Sequence, residues 1–322
     1  MNLYPLKFYP ILKERLWGGT KLKEVLGKPI NSDITGESWE LSGVSGDVSI
    51  VANGELSGTS LQDLILDYPE DLLGESVVAR FGTEFPILIK FIDAKQDLSV
   101  QLHPNDELAK KRHNSLGKTE MWYVMDAEPD AKLIIGFNRP VTKEEYVQSI
   151  KGNSLLDLLN YEKVREGDTF FINTGKIHAI GAGVLLAEIQ QTSDITYRVF
   201  DFNRKDKNGN FRELHTELAL DAIDYEKKDD FKITYSRDRN SVSPMVSCPY
   251  FKTNFLDLDQ SMELDVSQRS SFSIYICVAG SATVQNDFGT ATLQKGETVL
   301  VPARSTNIHI ITTNAKFLEV TI

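Results

Sequence analysis

The feature that most restricts how this chain can fold is a faint internal repeat. Arg165-Glu166-Gly167-Asp168-Thr169-Phe170-Phe171-Ile172-Asn173 resembles Gln294-Lys295-Gly296-Glu297-Thr298-Val299-Leu300-Val301-Pro302. Each copy has a Gly-acidic turn, then an apolar strand, then a turn leading to a histidine, His178 in the first and His309 in the second. Repetition of a whole strand-turn-strand unit predicts two related β halves. The charged, turn-rich stretch 227–243 supplies the boundary between them, near 235.

The rest of the sequence agrees with a mainly β chain. Ser38-Trp39-Glu40-Leu41-Ser42 and Val48-Ser49-Ile50-Val51 alternate as strands do, and 85–92 is an apolar run, broken only by Lys90, that reads as a buried strand. Helical spacing is confined to short segments near 60–75, 140–160 and 214–223, the first two opened by Ser60 and Thr142 as caps. Residues 106–115 read as a solvated loop or short helix. Many short strands, glycine turns and few helices predict two jelly-roll β-barrels of the cupin kind with a small helical insert. The expected division is a catalytic domain at 1–235 and a β domain at 236–322.

Alternation also places chemistry. Gln101 and His103 are two apart in a strand that Pro104 ends, so both point to one face. Glu120 follows the turn 117–119, and His178 lies in the glycine-bracketed segment 175–183. Two imidazoles, a carboxylate and an amide oxygen suit a borderline divalent metal, with zinc leading. A lone strand histidine also serves well as an ordinary core or surface residue. The second half offers no counterpart of Gln101, His103 or Glu120, so His309 reads as structural and the 236–322 domain as metal-free. Cys248 and Cys277 lack CxxC spacing and read as reduced, buried thiols.

The net charge of −11 leaves no basic stripe for nucleic acid. No run of 18 apolar residues exists to span a membrane, and the amino-terminal residues lack the apolar core of a signal peptide, so the expected location is cytoplasmic.

In order and spacing, Leu16-Trp17-Gly18-Gly19, Glu37-Ser38-Trp39-Glu40, Gln101-Leu102-His103-Pro104, Lys118-Thr119-Glu120-Met121, residues 175–183 and Asp194-Ile195-Thr196-Tyr197-Arg198 resemble the type I mannose-6-phosphate isomerases, also called phosphomannose isomerases. The resemblance covers nearly the whole chain. It implies an enzyme that interconverts mannose 6-phosphate and fructose 6-phosphate through a cis-enediol, with one zinc per chain on Gln101, His103, Glu120 and His178. It also implies catalytic roles for Glu188 and Arg198. Lys118, two residues from Glu120 on the same strand face, joins them as a catalytic candidate. Lys90 and Ser99 precede the ligands and are candidates for substrate binding, and Trp17 and Trp39 for core or cavity wall. A phosphorylated hexose is the implied partner, and a monomer or weak homodimer the expected assembly. Two departures stand out. Only a short insert near 140–160 replaces the helical domain of long members, as in short bacterial forms. Gly117 stands where long members carry a histidine, so a role for that histidine does not transfer. The competing readings are a metal-dependent cupin oxygenase and a non-catalytic sugar-phosphate-binding cupin, which metal content and turnover separate.

Overall fold

The computed structural model describes residues 2–206 and 208–322. Its strands form three antiparallel sheets. The first runs Ile11–Gly19, Thr35–Leu41, Ile87–Ala94, Val184–Gln191, Glu120–Ala127, Thr169–Ile172. The second runs Tyr197–Phe200, Val100–Leu102, His178–Ile180, Lys132–Phe137, Leu159–Lys163. The chain passes back and forth between these two sheets, so hydrogen-bonded neighbours are distant in sequence. The third sheet holds the seven strands between Val242 and Thr321. Its two long members, Ser273–Asn286 and Asn307–Thr321, pair with different partners along their length. The mainly β, double-sheet architecture matches the sequence reading. Among the described residues no sheet closes on itself, so the expected barrels are open sandwiches.

The strand Ile87–Ala94 shows why the run is apolar on both faces, apart from Lys90 and Asp93. All eight of its residues are buried, because both of its faces are covered. Ile87, Ile89 and Phe91 meet Phe255, Ile274, Ile276 and Val320 of the third sheet in one core. Ile92 and Ala94 face the second sheet, in a core with Trp122, Val124, Leu133, Ile180 and Leu186. The third sheet encloses its own core around Tyr275, Leu293, Ile308 and Phe317.

The helices are short. Leu61–Asp67 is capped by Ser60, whose hydroxyl accepts from the Asp63 amide, and Lys143–Lys151 carries the full Thr142/Glu145 capping box. Two further short helices, Pro69–Leu73 and Glu75–Phe81, follow the first. The polar stretch after Pro104 becomes a helix, Asp106–His113, capped by Asn105. The expected helix at 214–223 shrinks to Thr216–Ala219. His215 is held there by the Arg198 backbone, whose N–H donates to its Nδ1 at 3.1 Å, so chain pairing overrides helical spacing. Residues 48–51 make only isolated bridges rather than a full strand.

Between the halves, Ile233 still donates to Thr169 and Tyr235 to Gly167, whereas Asn240 already donates to Asp257 of the third sheet. The Leu6 segment crosses over: Leu6 and Leu300 exchange backbone hydrogen bonds of 2.8 and 2.9 Å. Tyr250 reaches the other way, donating to Asp106 at 2.6 Å. Both cysteines are free thiols. No described helix is long and apolar enough to cross a membrane.

Candidate metal centre and substrate cavity

Strand register brings the predicted ligands together. Gln101 pairs with His178 on one side and with Arg198 on the other. Residues directly opposite across strands share a face, so Arg198, Gln101 and His178 form one row across the second sheet. At the usual interstrand spacing the ends of that row stand roughly 10 Å apart. From the facing sheet, Lys90 and Glu188 are a directly paired couple, and Glu120 pairs with Gln190 in the same strand as Glu188.

At the closed end, nitrogen or carboxylate oxygen atoms of His103, Glu120 and His178 all lie within 4.8 Å of one another. His103 Nε2 is 3.3 Å from Glu120 Oε1 and His178 Nε2 is 3.7 Å from Glu120 Oε2. The far side of each ring is committed. His103 Nδ1 lies 2.7 Å from the Ile195 carbonyl and His178 Nδ1 lies 2.8 Å from that of Lys176. A carbonyl only accepts, so each Nδ1 carries the proton and each Nε2 turns a lone pair toward Glu120. Burial, and for His103 the Lys118 ammonium, pushes both imidazoles below their ordinary value, His103 to about 4. They stay neutral, as metal ligands must.

Glu120 is fully buried, and neither carboxylate oxygen receives a well-aligned hydrogen bond among the described residues. Burial alone would raise its pKa, but the Lys118 ammonium at 2.7 Å holds the carboxyl well below its usual range. A buried, ionised and poorly bonded carboxylate between two lone pairs is the environment a divalent cation would complete. The Gln101 amide is 3.5 Å from His178 Nε2, close enough for its oxygen to join the set by an amide rotation. These residues fit a metal.

In front of them opens a cavity of about 450 Å³. Gln101, His178, Lys118, Lys90, Glu188, Ser99 and Arg198 line it, while His103 and Glu120 lie deeper. Trp17 and Trp39 form its walls, as expected. Glu188 bonds Lys90 at 3.1 Å and accepts from Trp122 Nε1 at 2.9 Å, and its Oε1 has no aligned hydrogen bond. Arg198 Nε reaches Ser99 Oγ at 3.4 Å and Nη1 reaches the Glu213 carbonyl at 3.0 Å. Burial first, then the neighbouring Arg212, lowers its guanidinium pKa.

Sequence reading missed Arg15, Glu37, Trp122, Asp194 and Arg212, all of which line the cavity. Glu37 had a signal: it lies two residues before Trp39, and pairs with Ile92 as Trp39 pairs with Lys90, so it faces inward with them. Arg15 forks onto Glu37 through Nε at 3.1 Å and Nη2 at 3.0 Å. Arg212 comes from an irregular segment, where no periodicity assigns a face. In the third sheet, His309 is half exposed and 3.6 Å from Glu263, and among the described residues no second ligand group exists.

Comparison with known proteins gives a consistent result. Residues 6–135 match the family model for the phosphomannose isomerase type I catalytic domain, and residues 242–320 match that for the mannose-6-phosphate isomerase cupin domain. The chain is 37% identical over 305 residues to mannose-6-phosphate isomerase ManA of Bacillus subtilis, covering 94% of each chain. It is 34% identical over 299 residues to mannose-6-phosphate isomerase of Streptococcus mutans, covering 92% of each. A crystal structure of the Bacillus subtilis mannose 6-phosphate isomerase superposes with a TM-score of 0.89 at 32% identity, over 99% of this chain and 100% of that one. A mannose 6-phosphate isomerase bound with zinc and yttrium shares the fold at a TM-score of 0.79 and 19% identity, over 98% of each chain. With its ligand set, its facing cavity and these relatives in agreement, the chain belongs to the type I phosphomannose isomerase family.

Proposed function

We propose that this protein interconverts mannose 6-phosphate and fructose 6-phosphate, using one zinc ion held by Gln101, His103, Glu120 and His178. The observation that carries the reading is the neutral-imidazole and buried-carboxylate set at the closed end of a cavity whose row ends in Arg198. Nitrogen and carboxylate donors of this kind favour zinc over harder cations. When bound, zinc acts as a Lewis acid toward the sugar carbonyl and neighbouring hydroxyl. The remaining work falls to the chain. Lys118 is held cationic: burial opposes its charge, but Glu120 and then Glu188 raise its pKa above the ordinary value, so it donates hydrogen bonds toward the reacting oxygens. Glu188, with Oε1 free of an aligned bond, is the cavity carboxylate available to move the proton between carbons 2 and 1 of a cis-enediol. Arg198 stabilises negative charge at the other end, Ser99 orients it, and Lys90 fixes Glu188. The third sheet acts as a metal-free packing partner, with the domain boundary near 235. A phosphorylated substrate and an acidic chain fit a cytoplasmic enzyme.

The test is turnover of mannose 6-phosphate by the purified protein before and after chelation, with metal analysis. Expected are about one zinc per chain, loss of turnover on chelation and recovery with added zinc. His178→Ala should lose both metal and activity. Full turnover by metal-free protein would overturn the proposal, and full metal content in His178→Ala would overturn the ligand set. Resident iron with oxygen uptake would favour the oxygenase reading.

A further inference from the structure

Lys118 lies just before a strand rather than in it. The strand that carries Glu120 begins at Glu120, so the residues ahead of it are held by other means. Side chains supply them. The Gly117 N–H donates to Asp106 Oδ1 at 2.8 Å, and the Thr119 N–H donates to Gln191 Oε1 at 2.9 Å. Gln191 also donates its own backbone N–H to the Thr119 carbonyl at 3.2 Å. One residue upstream of Gly117, the Leu116 carbonyl accepts from Ser193 Oγ at 3.0 Å. The main chain is thus pinned on both sides of Lys118.

The two pins are joined. Gln191 Nε2 donates to the same Asp106 Oδ1 at 3.2 Å. The Thr119 amide only donates and an ionised carboxylate only accepts, so a single orientation of the Gln191 amide satisfies both. Burial alone would raise the Asp106 carboxyl, but hydrogen bonds from Tyr250, Gly117 and Gln191 bring it below its ordinary value. Its other oxygen, Oδ2, accepts from the Tyr250 hydroxyl at 2.6 Å. Tyr250 stands in the connection between two strands of the third sheet, Val242–Ser247 and Lys252–Leu258. The fit around Gly117 is close. A Cβ there would stand 2.8 Å from the Asp106 nitrogen and 2.9 Å from its Oδ1, so a larger residue would force the first pin open. Asp106, Gln191 and Tyr250 do not line the cavity.

We propose that Asp106 and Gln191 are positioning residues for Lys118, fixing its main chain so that its ammonium meets the reacting oxygens, and that Tyr250 steadies them from the carboxy-terminal half. The proposal rests on the role given to Lys118 in the reading above. A lysine needs such support because its stem is flexible. The bond that holds its head, 2.7 Å long, goes to Glu120, which belongs to the ligand set and is not reserved for Lys118. Misplacing a catalytic group by about 1 Å costs on the order of a hundredfold in rate.

The experiment measures kcat and KM for mannose 6-phosphate, with zinc content, on the zinc-loaded full chain. The variants are Asp106→Ala, Asp106→Asn, Gln191→Leu and Tyr250→Phe, each alone and combined with Lys118→Met. Alone, Asp106→Ala and Gln191→Leu should lower kcat by about ten- to hundredfold. KM should stay within a few-fold, with zinc content unchanged. Asp106→Asn should recover much of the loss, since its amide oxygen still accepts from Gly117. Tyr250→Phe should fall between the parent and Asp106→Ala. Combined with Lys118→Met, the same changes should cost almost nothing further, because the group they position is gone. Equal losses in both backgrounds, or parental kcat in the single variants, overturn the proposal and leave the role of Lys118 standing. Parental turnover in Lys118→Met defeats that role and this proposal with it. If Gln191→Leu fails to fold, parental kcat in Asp106→Ala overturns the proposal equally. Amide hydrogen exchange gives a readout without turnover. It should quicken about tenfold at Gly117 in Asp106→Ala and at Thr119 in Gln191→Leu, and unchanged exchange overturns the clamp. Quickened exchange in a protein that does not turn over mannose 6-phosphate would leave the clamp standing and defeat the proposed reaction instead.

Discussion

Arg198 and the two histidines show what a single residue can and cannot announce. His103 and His178 were readable from their places in alternating or glycine-bracketed sequence. Their fitness as ligands was not, because it depends on the Ile195 and Lys176 carbonyls that fix each ring's tautomer. Arg198 in strand-like sequence is equally suited to a surface ion pair. The structure instead gives it a serine, a backbone carbonyl and a neighbouring arginine. Removing a charge-stabilising donor of this kind typically costs a rate factor of about 10²–10³. Arg198→Ala should therefore lose that much turnover while keeping its zinc, and Arg198→Lys should recover only part. A loss mainly in kcat identifies charge stabilisation, and one mainly in KM identifies anchoring. Parental turnover in Arg198→Ala would make the arginine structural.

At the scale of elements, the sequence was read well where one period governs and poorly where pairing decides. The apolar run 85–92 and the capped helices near 60 and 142 appeared as expected. Residues 214–223 have helical spacing, yet His215 is drawn to the Arg198 backbone and only four residues stay helical. Glu37 lay hidden for a related reason: its neighbours across the sheet come from Ile11–Gly19 and Ile87–Ala94, far away in sequence. Burial alone would raise its carboxyl, but Lys90 and Arg15, with hydrogen bonds from Arg15 and Trp39, bring it down to about 2. The folded pKa lies below the unfolded one, so the stabilisation is full above about 4.5 and is lost as pH falls toward 2. In urea unfolding of metal-free protein, Glu37→Gln should be less stable than the parent at neutral pH. That difference should shrink steadily as the pH is lowered from 4.5. A gap that does not change with pH would mean that shape, not charge, accounts for Glu37.

For the whole molecule, the internal repeat predicts two β halves, and the candidate metal ligands His103, Glu120 and His178 all precede the expected boundary near 235. His309→Ala should leave turnover within a few-fold of the parent, measured alongside His178→Ala. A matching loss would assign the third sheet a share in catalysis. That sheet still touches the site indirectly. Tyr250 bonds Asp106, and Asp106 accepts from the Gly117 amide at 2.8 Å, beside Lys118. Tyr250→Phe should cost about 1 kcal/mol of stability, read from thermal unfolding, as loss of one part-buried hydrogen bond usually does. No period or motif signals such a link, because it joins residues of separate halves.

The Leu6–Leu300 pairing has a consequence for how the protein is made. A ribosome completes Leu6 long before Leu300, so the first of these edges waits for its partner through most of synthesis. The same delay applies to Ile89, Phe91 and Ile189, whose core is completed by Phe255, Ile274 and Val320. A nascent chain therefore carries a sheet with part of one apolar face uncovered until residues 242–321 emerge. That interval is when a holding chaperone has a surface to grip, and when two unfinished copies on one message are most prone to stick.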